Sequence, residues 1–189
     1  MEIRTLDQVM MREIYQRYMV NDFPKAELKP FDAIMQLQEK GVYHCYGYFD
    51  GDELLAYAYF IGDSSGWQLL DYYAVCIDKR SKGLGSQFLQ SLAQKLKNTL
   101  GIFAEIESLK DAKTEEEENI RHRRRDFYYR NGWQAADVYC ILFGVGFDIL
   151  YLPLAGTTLT PEEAKIQLGN VYRLMLPEKF FNEQVKLFA

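Results

Sequence analysis

The chain has 189 residues, 48% hydrophobic and 26% charged, with a net charge of −5. That is one globular domain, or one domain with a small extension, and it is long enough to bury a real core. The acidic balance argues against nucleic acid as the main partner, and no apolar run approaches membrane length, the longest being residues 138–145.

Residues 2–6 read as a short first strand. Asp7 is placed to cap a helix with Val9, Met10, Ile14 and Met19 among its apolar positions, and Phe23-Pro24 breaks it. A second helix is expected over residues 31–39, ended at Gly41. Residues 42–49 and 53–61 are strands joined at Asp50-Gly51, a hairpin signal, and a central strand follows from Gln68. The next helix is expected to end near Gly101, and residues 102–107 form a strand parallel to the central one through a right-handed crossover. Thr114 and Glu117 have capping-box spacing for a helix that runs to Asn131, with Gly132 ending it. Two more strands, residues 134–145 and 147–154, are hinged at Gly144 and Gly146. Thr160-Pro161-Glu162-Glu163 starts the first of two C-terminal helical segments, divided at Pro177.

The stretch that carries chemistry is 71–91. Residues 71–77 are a β-branched and aromatic run, 78–82 a charged turn, and Gly83, Leu84 and Gly85 come next. Phe88, Leu89, Leu92 and Leu96 then recur at helical spacing. The first N–H groups of a helix lack intrahelical partners, and the dipole makes that end partly positive. Glycine lets an anion approach this backbone closely, and Arg80 and Lys82 add charge beside it. The arrangement reads as a pyrophosphate seat. It is neither of two other glycine motifs. The dinucleotide fingerprint needs glycine where Phe88 stands, and in a P-loop the lysine follows the loop, whereas Lys82 precedes Gly83.

The residues Ala74, Val75, Arg80, Gly83, Gly85 and Ser86 resemble the coenzyme A signature of the GNAT superfamily of N-acetyltransferases. A second block, residues 127–133 (FYYRNGW), looks like the same family's F-Y-x-x-x-G-aromatic motif. The resemblance implies an α/β (α+β) fold. Its mixed, mostly antiparallel twisted sheet has about seven strands flanked by helices, and acetyl-CoA, the acyl donor, lies in a V-shaped gap between two parallel strands. Residues 1–155 are the expected acetyltransferase domain and 156–189 a C-terminal helical extension packed on it. The amides from Arg80 through Ser81, Lys82, Gly83, Leu84 and Gly85 to Ser86 are implied to hold the cofactor. The strand end Ala74, Val75, Cys76 and Ile77 is implied to pair with the pantetheine arm, with the N–H of Val75 or Cys76 as oxyanion donor. Tyr128 matches the family's general acid. Position 121 departs from many members, which carry asparagine where this chain has Arg121.

Acyl transfer to an amine also needs a base. Glu105 and Glu107 are two apart on one strand and share a face, and a face with two carboxylates is a poor candidate for dry core. Either is placed to accept a proton through a water, with Glu105 favoured; the alternative is pairing with arginines of the next helix. That helix carries arginines at 121, 123, 124 and 125 after four glutamates, the charge order that a helix dipole favours, so it reads as a salt-bridged solvated face. His44 reads as a core histidine, and no residues have metal-ligand spacing. Cys45, Cys76 and Cys140 read as reduced thiols of a cytoplasmic protein, and the MEIRTL start does not read as a signal peptide.

The expected function is direct transfer of acetyl from acetyl-CoA to the primary amine of a small molecule or peptide. Two other classes stay open: a CoA-binding module without turnover, and docking of nucleic acid or protein on the arginine helix. For the C-terminal segment, a homodimer interface and a cover for the last strand are both open.

Overall fold

A computed structural model describes residues 1–80 and 82–189. Its sheet has eight strands in the order β1-β2-β3-β4-β5-β7-β6-β8. β1 (Glu2–Thr5), β2 (Tyr43–Asp50), β3 (Glu53–Gly62) and β4 (Trp67–Val75) form an antiparallel meander. β5 (Gly101–Glu107) joins β4 in parallel. β6 (Gln134–Leu142), β7 (Val145–Pro153) and β8 (Val185–Phe188) continue it antiparallel. The two-residue turn between β6 and β7 has Phe143 at φ 49° and Gly144 at φ 81°, the mirror-type turn whose twist suits a hairpin.

Six helices among the described residues cover both faces. α1 (Gln8–Ile14) is capped by Asp7, whose carboxylate accepts from the Met10 N–H at 2.8 Å, and it runs on through a π-helical turn to Asp22. α2 (Phe31–Glu39) follows. α3 (Leu84–Lys95) and α4 (Glu115–Arg130) come next, then α5 (Pro161–Met175), which opens on a full capping box at Thr160 and Glu163, and the short α6 (Glu178–Gln184). On one face Met11, Met19, Ile34, Leu168 and Tyr172 pack against Tyr57, Tyr59, Leu69 and Phe103. On the other, Leu84, Phe88, Leu92 and Tyr128 pack against Phe60, Ala104 and Ile106. Each such side chain contributes about 1.5–3 kcal/mol by leaving water. α1, α2 and α5 therefore sit on the first face, and α3 and α4 on the second.

Several expectations need correcting. The sheet of eight strands agrees with the expected fold of about seven, but the tail is not wholly helical. The eighth is Val185–Phe188, within the tail read as helical. Four residues are too few to show a period, and pairing with β6 decides their state. The central strand ends at Val75, and Ile77 lies past it in a 3₁₀ turn. Gly146 is inside β7, so only Gly144 serves the turn. Gly101 does not cap α3. That helix stops at Lys95, and Thr99 closes its end by donating both its N–H and its hydroxyl to the Leu96 carbonyl, at 2.9 and 2.8 Å.

Gly101 instead opens β5 beneath the Trp67 ring, where an added Cβ would meet the Leu152 carbonyl oxygen at 2.6 Å. Backbone cannot yield there, so Gly101→Ala is expected to destabilise the fold by about 2 kcal/mol, read as a lower midpoint in urea with an unchanged slope.

Candidate active site

β4 and β5 are paired only from Trp67 opposite Gly101 to Leu70 opposite Ala104. The reason lies on the other side of β4. Its register with β3 passes from Leu70 to Tyr72, so Asp71 is an extra residue. A bulge of this kind bends a strand and increases its twist. Beyond it β4 leaves β5, and a wedge opens between 71–75 and 105–107. The bulge also puts Asp71 and Tyr72 toward the α1–α2 face together.

The wedge edge of β4 follows from its hydrogen bonds. The Cys76 N–H donates to the Leu55 carbonyl at 2.9 Å, so it is committed to β3. By alternation the N–H and C=O of Val75 point into the wedge. The Val75 carbonyl accepts from Arg80 Nε at 3.0 Å, and Asp22 holds the same guanidinium at 2.9 Å. Arg80 thus ties the end of β4 to the end of the α1 region and does not reach over the glycine loop.

That loop leads into α3. Gly83 is the N-cap residue at φ 74°, its position open to solvent, with no side chain capping the first turn. Three features brace the turn. Tyr73 donates its hydroxyl to the Gly85 carbonyl at 2.5 Å. Asn131, at the end of α4, donates to Ser86 Oγ at 3.1 Å. A Cβ on Gly85 would press on Phe127 at 3.3 Å. Leu84 is buried, while Lys82 is exposed beside the loop. Ser81 lies outside the described residues. The first-turn amides and dipole therefore present an open, positive end, which fits a pyrophosphate.

Tyr128 is buried on the α3–α4 face, edge-on to Trp133 and Phe127. Burial pushes its hydroxyl up to about 12, while Arg124 pulls it down. Tyr129, its neighbour, is 42% exposed, so only Tyr128 faces inward.

Glu105 and Glu107 share the opposite face, but their surroundings differ. Glu107 accepts from Arg124 at 2.9 Å and pairs with Arg121 at 3.5 Å, so the arginine helix is partly spent on this carboxylate. Glu105 has no cation at ion-pair distance among the described residues. It accepts from the hydroxyl of Tyr172 on α5. Burial pushes the Glu105 carboxyl up to about 7; Tyr172 opposes the rise, Asp71 adds to it and Lys29 opposes it. The wall facing Glu105 is Lys29, which donates to Asp71 at 2.6 Å, with Tyr43 donating to the same carboxylate. Burial works against the Lys29 ammonium, but Asp71 holds it charged, above its usual range. Tyr72 anchors the loop carrying Lys29, accepting from its N–H and donating to the Glu27 carbonyl, both at 2.8 Å. Burial and the Glu107 charge raise the Glu27 carboxyl, while Arg124 lowers it.

The structure thus brings together the glycine loop, Val75, Glu105 and Glu107 around one wedge. Asp71, Lys29 and Tyr172 were missed. Asp71 had a signal, a lone acid in an otherwise apolar central strand, which must find partners. Lys29 and Tyr172 had none, because their partners lie 42 and 67 residues away. Among the described residues no cluster suits a metal ion, and no helix is long and apolar enough to cross a membrane.

The model of the GNAT acetyltransferase family matches residues 9–133. The chain belongs to the GNAT family. No curated protein matches its sequence. Among solved structures it is similar to a GNAT-family protein from Bacteroides thetaiotaomicron, at 19% identity and a TM-score of 0.70 over 92% of this chain and 96% of that one. A spermidine N-acetyltransferase from Vibrio cholerae, solved with CoA and spermine, is 11% identical with a TM-score of 0.58 over 82% and 95%. An aminoglycoside 6'-N-acetyltransferase from Enterococcus faecium is 14% identical with a TM-score of 0.60 over 84% and 100%. These likenesses show that the chain has the GNAT fold.

Proposed function

We propose that this GNAT protein is an N-acetyltransferase that moves acetyl from acetyl-CoA directly to a primary amine in a ternary complex. The observation that carries the proposal is the bulge-driven wedge, with an open helix N-terminus on one side and, on the other, Glu105, a carboxylate with no ion pair among the described residues. Acetyl-CoA supplies an activated thioester carbonyl and a thiolate leaving group. The amides of Gly83, Leu84, Gly85 and Ser86 receive the pyrophosphate, and Lys82 adds charge beside them. The Val75 amide takes the role of donor to the acyl oxygen as negative charge develops there. The Cys76 amide, committed to β3, is the weaker candidate.

Glu105 is the base. An amine arrives as ammonium and must lose a proton before it attacks, and a carboxyl poised near neutral pH accepts that proton through a water. Glu107, neutralised by two arginines, serves the wall instead. Tyr128 returns a proton to the departing thiolate. A thiol near pKa 8.5 needs only modest help, so Tyr128→Phe is expected to lower kcat about a hundredfold with little change in KM, checked by steady-state kinetics of CoA release. Three buried thiols, none in a disulfide, support a reducing cytoplasm as its place of work.

The test is a thermal-shift titration with acetyl-CoA, followed by CoA-release assays with spermidine, an aminoglycoside and a peptide with a free N-terminus. A dose-dependent rise in melting temperature and turnover of a primary amine are expected. No stabilisation at millimolar acetyl-CoA would sink the proposal. Stabilisation without turnover of any amine would favour the CoA-binding module.

A further inference from the structure

We infer that Tyr172, carried by the C-terminal helix α5, is a positioning residue: its phenol holds the Glu105 carboxylate from behind and favours the ionised form that accepts a proton. The inference rests on the reading of Glu105 as base, and it places a working residue outside residues 9–133, the stretch that the family model matches.

The geometry is specific. Tyr172 is fully buried, and its hydroxyl donates to Glu105 Oε1. The other neighbour of that hydroxyl is Cys140 Sγ on β6, at 3.5 Å. Ala164, Leu168 and Val171 of the same helix are buried with it, so the ring has no alternative place to go. The remaining charged groups facing Glu105 are Asp71 on β4 and Lys29 from the α1–α2 loop, and they act in opposite senses. Among the described residues, Tyr172 is the side chain that hydrogen-bonds the Glu105 carboxylate. A hydrogen bond to a carboxylate favours its ionised form and sets its direction. Tyr172 keeps its own proton, because burial drives its hydroxyl well above the usual phenol range. Of this pair, Glu105 is the member that gains and loses a proton in the cycle.

The experiment follows Glu105 directly by ¹³C-carboxylate NMR on glutamate-labelled protein, its resonance assigned by its loss in Glu105→Gln. Tyr172→Phe is expected to raise the titration midpoint by about one pH unit. Transfer to whichever of the assayed amines is turned over should fall about tenfold on the acid side and recover at alkaline pH. Difluorotyrosine at 172, a stronger donor, should move the midpoint the other way and guards against a variant that fails to fold. An unchanged midpoint in both would overturn the inference. Full activity in Glu105→Gln would overturn the base assignment instead, leaving the midpoint comparison as a separate result.

Discussion

Glu105→Gln is expected to cut kcat/KM about 1000-fold at pH 7, because the amine then reaches the thioester with no group to take its proton. Glutamine keeps the shape and still accepts from the Tyr172 hydroxyl, so CoA binding should persist and the loss is in the chemical step. The sign of the pH dependence follows from the carboxyl being raised to about 7. Below that value Glu105 is protonated and idle; above it the base is available. Wild-type kcat/KM should therefore rise through about pH 7, and the variant should lack that limb. Stability moves the opposite way. A carboxyl raised on folding stabilises the fold fully below its unfolded value, and that contribution is lost as pH rises through about 7. Glu105→Gln should thus be more stable than wild type at pH 8, on the order of 2 kcal/mol, and indistinguishable near pH 4. A variant that is both slower and more stable is the signature of a carboxylate kept for chemistry. Equal stability at pH 8 would mean that Glu105 is well solvated and not poised.

Gly83→Glu is expected to weaken acetyl-CoA binding at least a hundredfold, measured by calorimetry. Two effects combine. Gly83 sits at φ 74°, where a side chain costs about 1–2 kcal/mol. Nothing stands within 4 Å of the new Cβ, so the substitution does not break the core. Its carboxylate would instead lie at the positive end of α3, occupying the field meant for phosphate. Gly83→Ala separates the terms. It carries the backbone strain without the charge and should lose only a fraction of the affinity. If the glutamate variant binds as well as wild type, the pyrophosphate does not use this helix end.

Local chemistry made much of this legible in the sequence. The turn at Gly51, the caps at Asp7, Thr114 and Thr160, and the strand–glycine–helix order of 71–91 are written in neighbouring residues, where one side chain or one missing Cβ selects the backbone. Pairing Glu105 with Glu107 needed only the two-residue period of a strand. What separates the two was not legible locally. Arg121 and Arg124 fold back on Glu107, while Tyr172 comes from another helix to Glu105.

By itself, then, the sequence determined the family, the glycine seat for an anion, the Tyr128 and glutamate candidates, and most element positions, because these rest on short-range spacing. Tertiary structure decided the rest. It extended the sheet through β8, turned Arg80 toward Asp22, committed the Cys76 amide to β3 and so turned that of Val75 toward the wedge. It also gave one of two equivalent carboxylates a phenol and the other two guanidinium groups. Those outcomes depend on which distant groups share a small volume, and burial then sets proton affinities that spacing along the chain does not encode.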